Sequence, residues 1–296
     1  MPSSDYRVPN QMLVNNSLIA LQKSFSKLAD LQNEASSLKR LTKPSDGPAD
    51  VVSAMQLHAS LDRNDQYTRN LSDAQGWLGN ADNALTSTVT QLQKVNDLVV
   101  QASNGSLDAN ARQTIANEID SIRKSLIGVA NTQYAGRPIF AGTASGNSAY
   151  DANGQYVGVS SAVERNIAPG QRIQVNVNGD TVFGAPGNDL FTTLAQISNA
   201  VTTDPTQLTA LQAQLGTRTT QVQSQLAQVG SQFLRVQNMQ SQNTSQGLTM
   251  KQNLSSIEDA DIAQVMVQLQ SQQVAYQAAL SATARAIQPS LTDFLK

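Results

Sequence analysis

The 296-residue sequence contains no cysteine, one histidine and one tryptophan. The first absence excludes disulfides, thiolate zinc sites and cysteine nucleophiles together. With His58 as the one imidazole, a histidine-based zinc site or a Ser-His-Asp triad within one chain must use that residue, and its surroundings, MQLHASLDR, hold no strained nucleophile turn. Aromatic residues make up 4% and charged residues 14%, the latter well under the roughly one quarter that is usual. Gln, Asn, Ser, Thr and Ala fill the deficit. The apolar share, 40%, is enough for seams between helices, but few large side chains remain to fill a thick globular core. The formal net charge of −2 and the lack of a polybasic run argue against nucleic acid and against an anionic membrane surface.

The opening residues, MPSSDYRVPN, lack the cationic and apolar regions of a cleavable signal, so the expectation is a cytoplasmic chain or export by a route that reads no cleaved signal. The stretch from Ile262 to Ala284 carries no charge and has the length of a span. Its glutamines at 264, 268, 270, 272, 273 and 277 would each need a partner in lipid, and a transmembrane reading is rejected.

Leu71, Leu78, Leu85, Leu92 and Val99 stand seven apart, which keeps one seam facing one partner helix and predicts a coiled-coil-like element ending at Asn104-Gly105. Asp108 is a plausible cap for a following helix with Ile115, Ile119, Ile122, Leu126 and Val129 on one face. A second seam runs through Leu208, Leu215, Val222, Val229 and Val236, with Leu211, Leu226 and Phe233 filling the stripe. The predicted fold is mainly α, an elongated antiparallel helical bundle or coiled coil built from N- and C-terminal segments, with a small inserted β domain. The insert is expected between Arg137 and Pro186, where RIQVNVNGDTVF alternates Ile173, Val175 and Val177 before an Asn178-Gly179 turn into Thr181, Val182 and Phe183. YDANGQYV adds another turn.

Val14, Leu18, Leu21, Phe25, Leu28, Leu31, Ala35 and Leu38 form a stripe near the start, and Ile262, Val265, Leu269, Tyr276, Leu280 and Ile287 form one near the end. The opposite faces carry Gln, Asn, Ser and Ala rather than Lys and Glu. Amides can be satisfied by neighbours when buried, whereas an unpaired charge cannot, so both extremities read as surfaces made to pack against other copies. The expected division is terminal helices at 1–43 plus 256–296, a helical rod at 44–137 plus 187–255, and the insert at 138–186.

Ser255 and Glu258 have the spacing of a capping box, and that reading of the acidic cluster Glu258, Asp259 and Asp261 is preferred to a metal site or an intermolecular ion pair. DANG, at 151–154, starts like a calcium loop but lacks its third acidic position and closing glutamate. A glycan hydrolase using Glu164 and Asp180 is the rival from another class, against which stands an insert poor in acids. A generic coiled-coil tether is the third reading, and the inserted hairpin speaks against it. Trp77 reads as packing, His58 as a solvated or packed helix residue, and no cofactor site is expected.

NNSLIALQKSFSKLADLQNEASSLKRLTKPSDGPAD resembles the amino-terminal signature of the bacterial flagellin superfamily, with an Arg-x-x-x-Pro-Ser-Asp loop after a striped helix. RNLSDAQGWLGNADNALTSTVTQLQKVNDLVVQASNG continues the resemblance, and SSIEDADIAQVMVQLQSQQVAYQAALSATARAIQPSLTDFL is similar to the carboxyl-terminal signature. Gly47 stands where a second acid is common and Ala141 where serine is usual. Within the superfamily, PSLTDFL, YAGRPIFAGT and APGQRIQVNVNGDTVF are similar to members that join hook to filament, with the filament subunit, flagellin, as the alternative. The resemblance implies an extracellular structural role in the flagellum, passage in an unfolded state through a type III export apparatus, and ordering of the terminal helices into an inner coiled-coil layer on assembly. A cysteine-free chain suits that passage. The implied partners are the preceding junction ring of hook-associated protein 1, flagellin, further copies of the chain, an export chaperone and the export apparatus.

Overall fold

The computed structural model describes residues 7–105 and 107–287 and divides into two compact units, one of residues 1–62 with 248–296 and one of residues 63–247. Its helices are α1 (Arg7–Ser37), α2 (Pro48–Ala102), α3 (Ala109–Ala130), α4 (Gly179–Phe183), α5 (Leu190–Thr203), α6 (Leu208–Glu258) and α7 (Ile262–Ile287). Two antiparallel hairpins, β1 (Gln133–Tyr134) with β2 (Arg137–Pro138) and β3 (Glu164–Ala168) with β4 (Gln171–Gln174), make up the named strands among the described residues. The protein is mainly α with a small β insert.

In the unit of residues 63–247, the seam of α2 lies against α6. Leu71, Leu78, Leu85, Leu92 and Val99 are buried, as are Leu208, Leu211, Leu215, Val222, Val229 and Val236 on α6, while Phe233 is half-buried at the edge of the same core. The pairing is antiparallel: Asn64 meets Asn243, Gly79 faces the Phe233 ring and Asn96 meets Gln212, one number climbing as the other falls. Trp77 is buried in this core and packs edge-on against Tyr134 with ring centroids 5.8 Å apart. Removing a leucine of about 1.5–3 kcal/mol transfer energy from water at each heptad step is what holds two helices with so few charges together.

Asp108 caps α3 by accepting from the Ala111 N–H at 2.7 Å. The buried face of α3, Ile115, Ile119, Ile122 and Leu126, packs on α5, whose Ser198 hydroxyl donates to the Ala116 carbonyl at 3.0 Å. Asp189, itself buried, caps α5 through the Thr192 N–H at 2.8 Å. The core continues into the insert through Ile139, Phe140, Tyr150, Phe183 and Phe191, with the Tyr150 and Phe191 rings 4.9 Å apart. Asn131 ties chain to chain there: its Oδ1 accepts from Ala149 and Tyr150, and its Nδ2 donates to the Tyr150 carbonyl.

The hairpin expected at Asn178-Gly179 is not there. The turn between paired strands is Pro169-Gly170, with Ala168 opposite Gln171 and Gly170 at φ +69°. Proline presets one central position of that turn and glycine supplies the left-handed other. Asn178 is instead the residue before α4, with φ −75° and ψ 136°, and its carbonyl accepts from Thr181 and Val182. Gly179 is needed for room rather than for a positive φ, since an added Cβ would sit 2.7 Å from the Tyr150 hydroxyl. Of the alternating valines, Ile173 lies in β4, while Val175 and Val177 are buried beyond its end. The turn in YDANGQYV is present, bridged by Tyr150 and Tyr156, with Asp151 accepting from Asn153 and Gln155.

Candidate assembly surface

In the other unit, α1 and α7 pack side by side in opposite directions. The Phe25 and Tyr276 rings are 5.9 Å apart, and Gln272 Nε2 donates to Ser24 Oγ at 2.8 Å and to its carbonyl at 3.1 Å. Each helix uses part of its stripe for this contact. Leu31 and Val265 are buried, and Leu21, Leu28, Leu269 and Tyr276 are half-buried. Leu18, Phe25, Leu38, Ile262 and Leu280 remain exposed, Phe25 at 57%. Ile287 closes α7, and PSLTDFL, at 289–295, lies outside the described residues.

Further apolar side chains lie in solvent off the predicted stripes: Ile19 on α1 and Met266, Val267 and Val274 on α7, with Val267 at 70%. Stripe periodicity missed them because it assigns one face per helix. The available signal was the lack of Lys and Glu on the second face, since Arg285 is the one charged residue in α7.

Where α6 gives way to α7, the chain folds back through an ion-pair cluster with the segment after α1. Lys39 Nζ donates to Glu258 at 3.0 Å and to Asp259 at 2.8 Å, and His58 Nε2 lies 2.6 Å from the other Glu258 oxygen. The backbone seals the junction, with Arg40 N–H donating to the Glu258 carbonyl at 2.7 Å and Ala260 N–H to the Leu38 carbonyl at 3.1 Å. Leu38 takes the left-handed conformation, φ 59°, at the end of α1. Burial pushes the Glu258 carboxyl up, but hydrogen bonds and charge from Lys39 and His58 outweigh that and hold it below its ordinary value. Asp259 is held low by the hydrogen bonds from Lys39 and Ser255, and Lys39 is correspondingly raised by Asp259 and Glu258. In the preceding loop, Asp46 accepts from the Thr42 and Lys43 N–H groups, which lowers its carboxyl too.

This geometry corrects the capping-box reading. Ser255 and Glu258 lie in the last turn of α6, not the first turn of a helix, and Ser255 Oγ donates to Asp259 Oδ2. Asp261 is the residue that caps α7, its side chain accepting from Gln264 N–H at 3.2 Å and its carbonyl from Val265. Glu258 faces Lys39 and His58 because it is the last residue of α6, where the chain turns and directs that carboxylate across the junction.

Glu164 pairs with Arg172 at 3.5 Å, and Asp180 accepts from Ser160 and from the Thr181 N–H, so each carboxylate is held in a local contact of its own. Among the described residues no group of three or more His, Asp or Glu side chains is placed to hold a metal, and no helix is long and apolar enough to cross a membrane.

Residues 8–145 match the family described as the bacterial flagellin N-terminal helical region. The flagellar hook-associated protein 3 of Escherichia coli K12 is 27% identical over 179 residues, 60% of this chain and 56% of that protein. The chain thus spans little more than half the length of that curated relative. The flagellin of Bacillus subtilis 168 is 31% identical over 147 residues, 49% of this chain and 45% of that one. The fold is that of FlgL from Bacillus cereus, with a TM-score of 0.60 at 24% identity over 68% of this chain and 99% of the other. Flagellar hook associated protein-3 from Legionella pneumophila gives 0.61 at 14% identity, over 69% and 98%. Over residues 8–145 the chain is thus similar to the N-terminal helical region of bacterial flagellins.

Proposed function

We propose that this protein is a structural subunit of the bacterial flagellum that joins the hook to the flagellin filament. One observation carries the reading: α1 and α7 leave a row of large apolar side chains in solvent, and α7 carries a single charged residue, Arg285, along its whole length. Isolated helices of that kind gain little in water, whereas docking against neighbouring copies removes the exposed face from solvent and offsets the entropy of ordering. Similarity to hook-associated protein 3 over 60% of the chain, broader than the similarity to flagellins, supports the junction over the filament as its place.

In this account residues 1–43 and 256–296 form the inner layer of the assembly, residues 44–137 and 187–255 the rod, and residues 138–186 an outward-facing insert. The subunit leaves the cell unfolded by the type III route with an export chaperone, docks on a ring of hook-associated protein 1, and offers its far side to flagellin. Its work is mechanical, and none of its residues is assigned to catalysis. The test is deletion of the gene: flagellin is then secreted into the medium instead of polymerising, and intact filaments of normal length on the deletion strain would reject the role.

A further inference from the structure

The apolar seam between α2 and α6 repeats itself. Leu71, Leu78, Leu85 and Leu92 are one residue type at seven-residue steps, as are Val222, Val229 and Val236 opposite. Sliding one helix along the other by a heptad brings like onto like, so the hydrophobic contacts alone discriminate poorly between registers.

One polar node joining the two helices does not repeat. Asn64 and Asn243 are both buried, and they satisfy each other: Asn64 Nδ2 donates to Asn243 Oδ1 at 2.6 Å and to its carbonyl at 3.1 Å. Asn243 Nδ2 donates back to the Asn64 carbonyl at 3.0 Å and to Thr68 Oγ1 at 2.7 Å. Gly247 lies over the pair, and a Cβ there would stand 2.8 Å from Asn64 Oδ1. The buried Thr88 in the same seam is different in kind, because its hydroxyl bonds to Ala84 of its own helix at 2.8 Å and is satisfied in any register.

We propose that the Asn64–Asn243 amide pair, seated under Gly247, is the register key of the α2–α6 seam. A heptad slide places Val236 or Met250 opposite Asn64 and Gln240 or Leu254 where Gly247 stood. Both amides then lose their partners, and the gap that admits the Asn64 oxygen is filled. A polar pair in an apolar seam gives up hydrophobic stabilisation and returns a single alignment.

The absence of cysteine makes the test direct. Spin labels on the full chain at Q66C and Q223C, both exposed positions, report the distance along the seam by pulsed electron resonance. The parent gives one narrow distance. N64L/N243L, which keeps a filled seam, gives a second maximum displaced by about 10 Å, the length of seven helical residues. G247A, which forces the amide aside without removing it, gives the same second maximum in smaller proportion. A single unshifted distance in both variants overturns the proposal, even if their melting temperatures change, since that result makes the pair a stability element only.

Discussion

His58 Nε2 and Glu258 Oε1 lie 2.6 Å apart across 200 residues of sequence, and Lys39 holds the other oxygen of the same carboxylate. A helix end whose carboxylate is shared between Lys39 and His58 responds to pH. The carboxyl groups of Glu258 and Asp259 are lowered in the folded state, so their contribution is present above the unfolded values near pH 4 and is lost as pH falls through the folded ones. Lys39 is raised, so its share persists at neutral pH and fades only as pH rises through its folded value, above about 10. The expected outcome is that E258Q melts lower than the parent by about 1 kcal/mol equivalent at pH 7, with the difference shrinking as pH falls below the unfolded carboxyl value and through the lowered folded one. Thermal scans by circular dichroism across that range check it, and a constant difference throughout would contradict the assignment.

Asp261, not Ser255, caps α7. D261A is therefore expected to destabilise the α1–α7 pair by about 1 kcal/mol, the usual effect of losing an N-cap, while S255A has a much smaller effect. Amide exchange in the first turn of α7 distinguishes the two, with faster exchange at Gln264 in D261A alone.

Two glycines make opposite predictions. Gly142 sits at φ +63° and an added Cβ would lie 1.8 Å from the Val159 carbonyl oxygen, so G142A displaces backbone and destabilises the protein by roughly 2–4 kcal/mol. Gly230 is inside α6 with open space around its Cβ position, and G230A stabilises by up to about 1 kcal/mol. Denaturant midpoints of both variants settle the pair.

The Tyr150 hydroxyl is buried in the aromatic cluster of the insert without a hydrogen-bond partner, and burial pushes its ionisation far above the ordinary phenol value. Y150F keeps the ring contacts with Phe183 and Phe191 and removes a desolvated hydroxyl. It is expected to raise stability by about 1 kcal/mol, and a loss of similar size would point to a bound water on that oxygen.

The parts of the molecule that could be read from the sequence are those whose signal is local and repeated. Leu71 to Val99 announced a seam because the heptad leaves one arrangement open, and Asp108 announced a cap because its partner, Ala111, is three residues away. Ser255 and Glu258 misled for the same reason: their spacing imitates a local box, while the partners that fix Glu258, Lys39 and His58, lie more than 200 and 200 residues distant. Asn178-Gly179 misled because two turn signals competed within ten residues, and the choice fell to packing, with Tyr150 and Tyr156 closing on Gly179 while Pro169-Gly170 stayed free to turn. On α7, the stripe through Val265 and Tyr276 was visible and the exposed second row, Met266, Val267 and Val274, was not, since only the pairing with α1 decides which face is left over.

That second row is where the account can be tested most directly. Val274 is 63% exposed on α7, so V274K should leave the melting temperature of the isolated subunit within about 1 °C of the parent, as surface substitutions do. In cells carrying V274K as the sole copy, the subunit should be exported normally, recovered in the medium rather than in sheared flagella, and flagellin should be secreted with it. Normal incorporation of V274K into flagella, with wild-type filament length, would contradict the claim that this apolar face rests against neighbouring subunits.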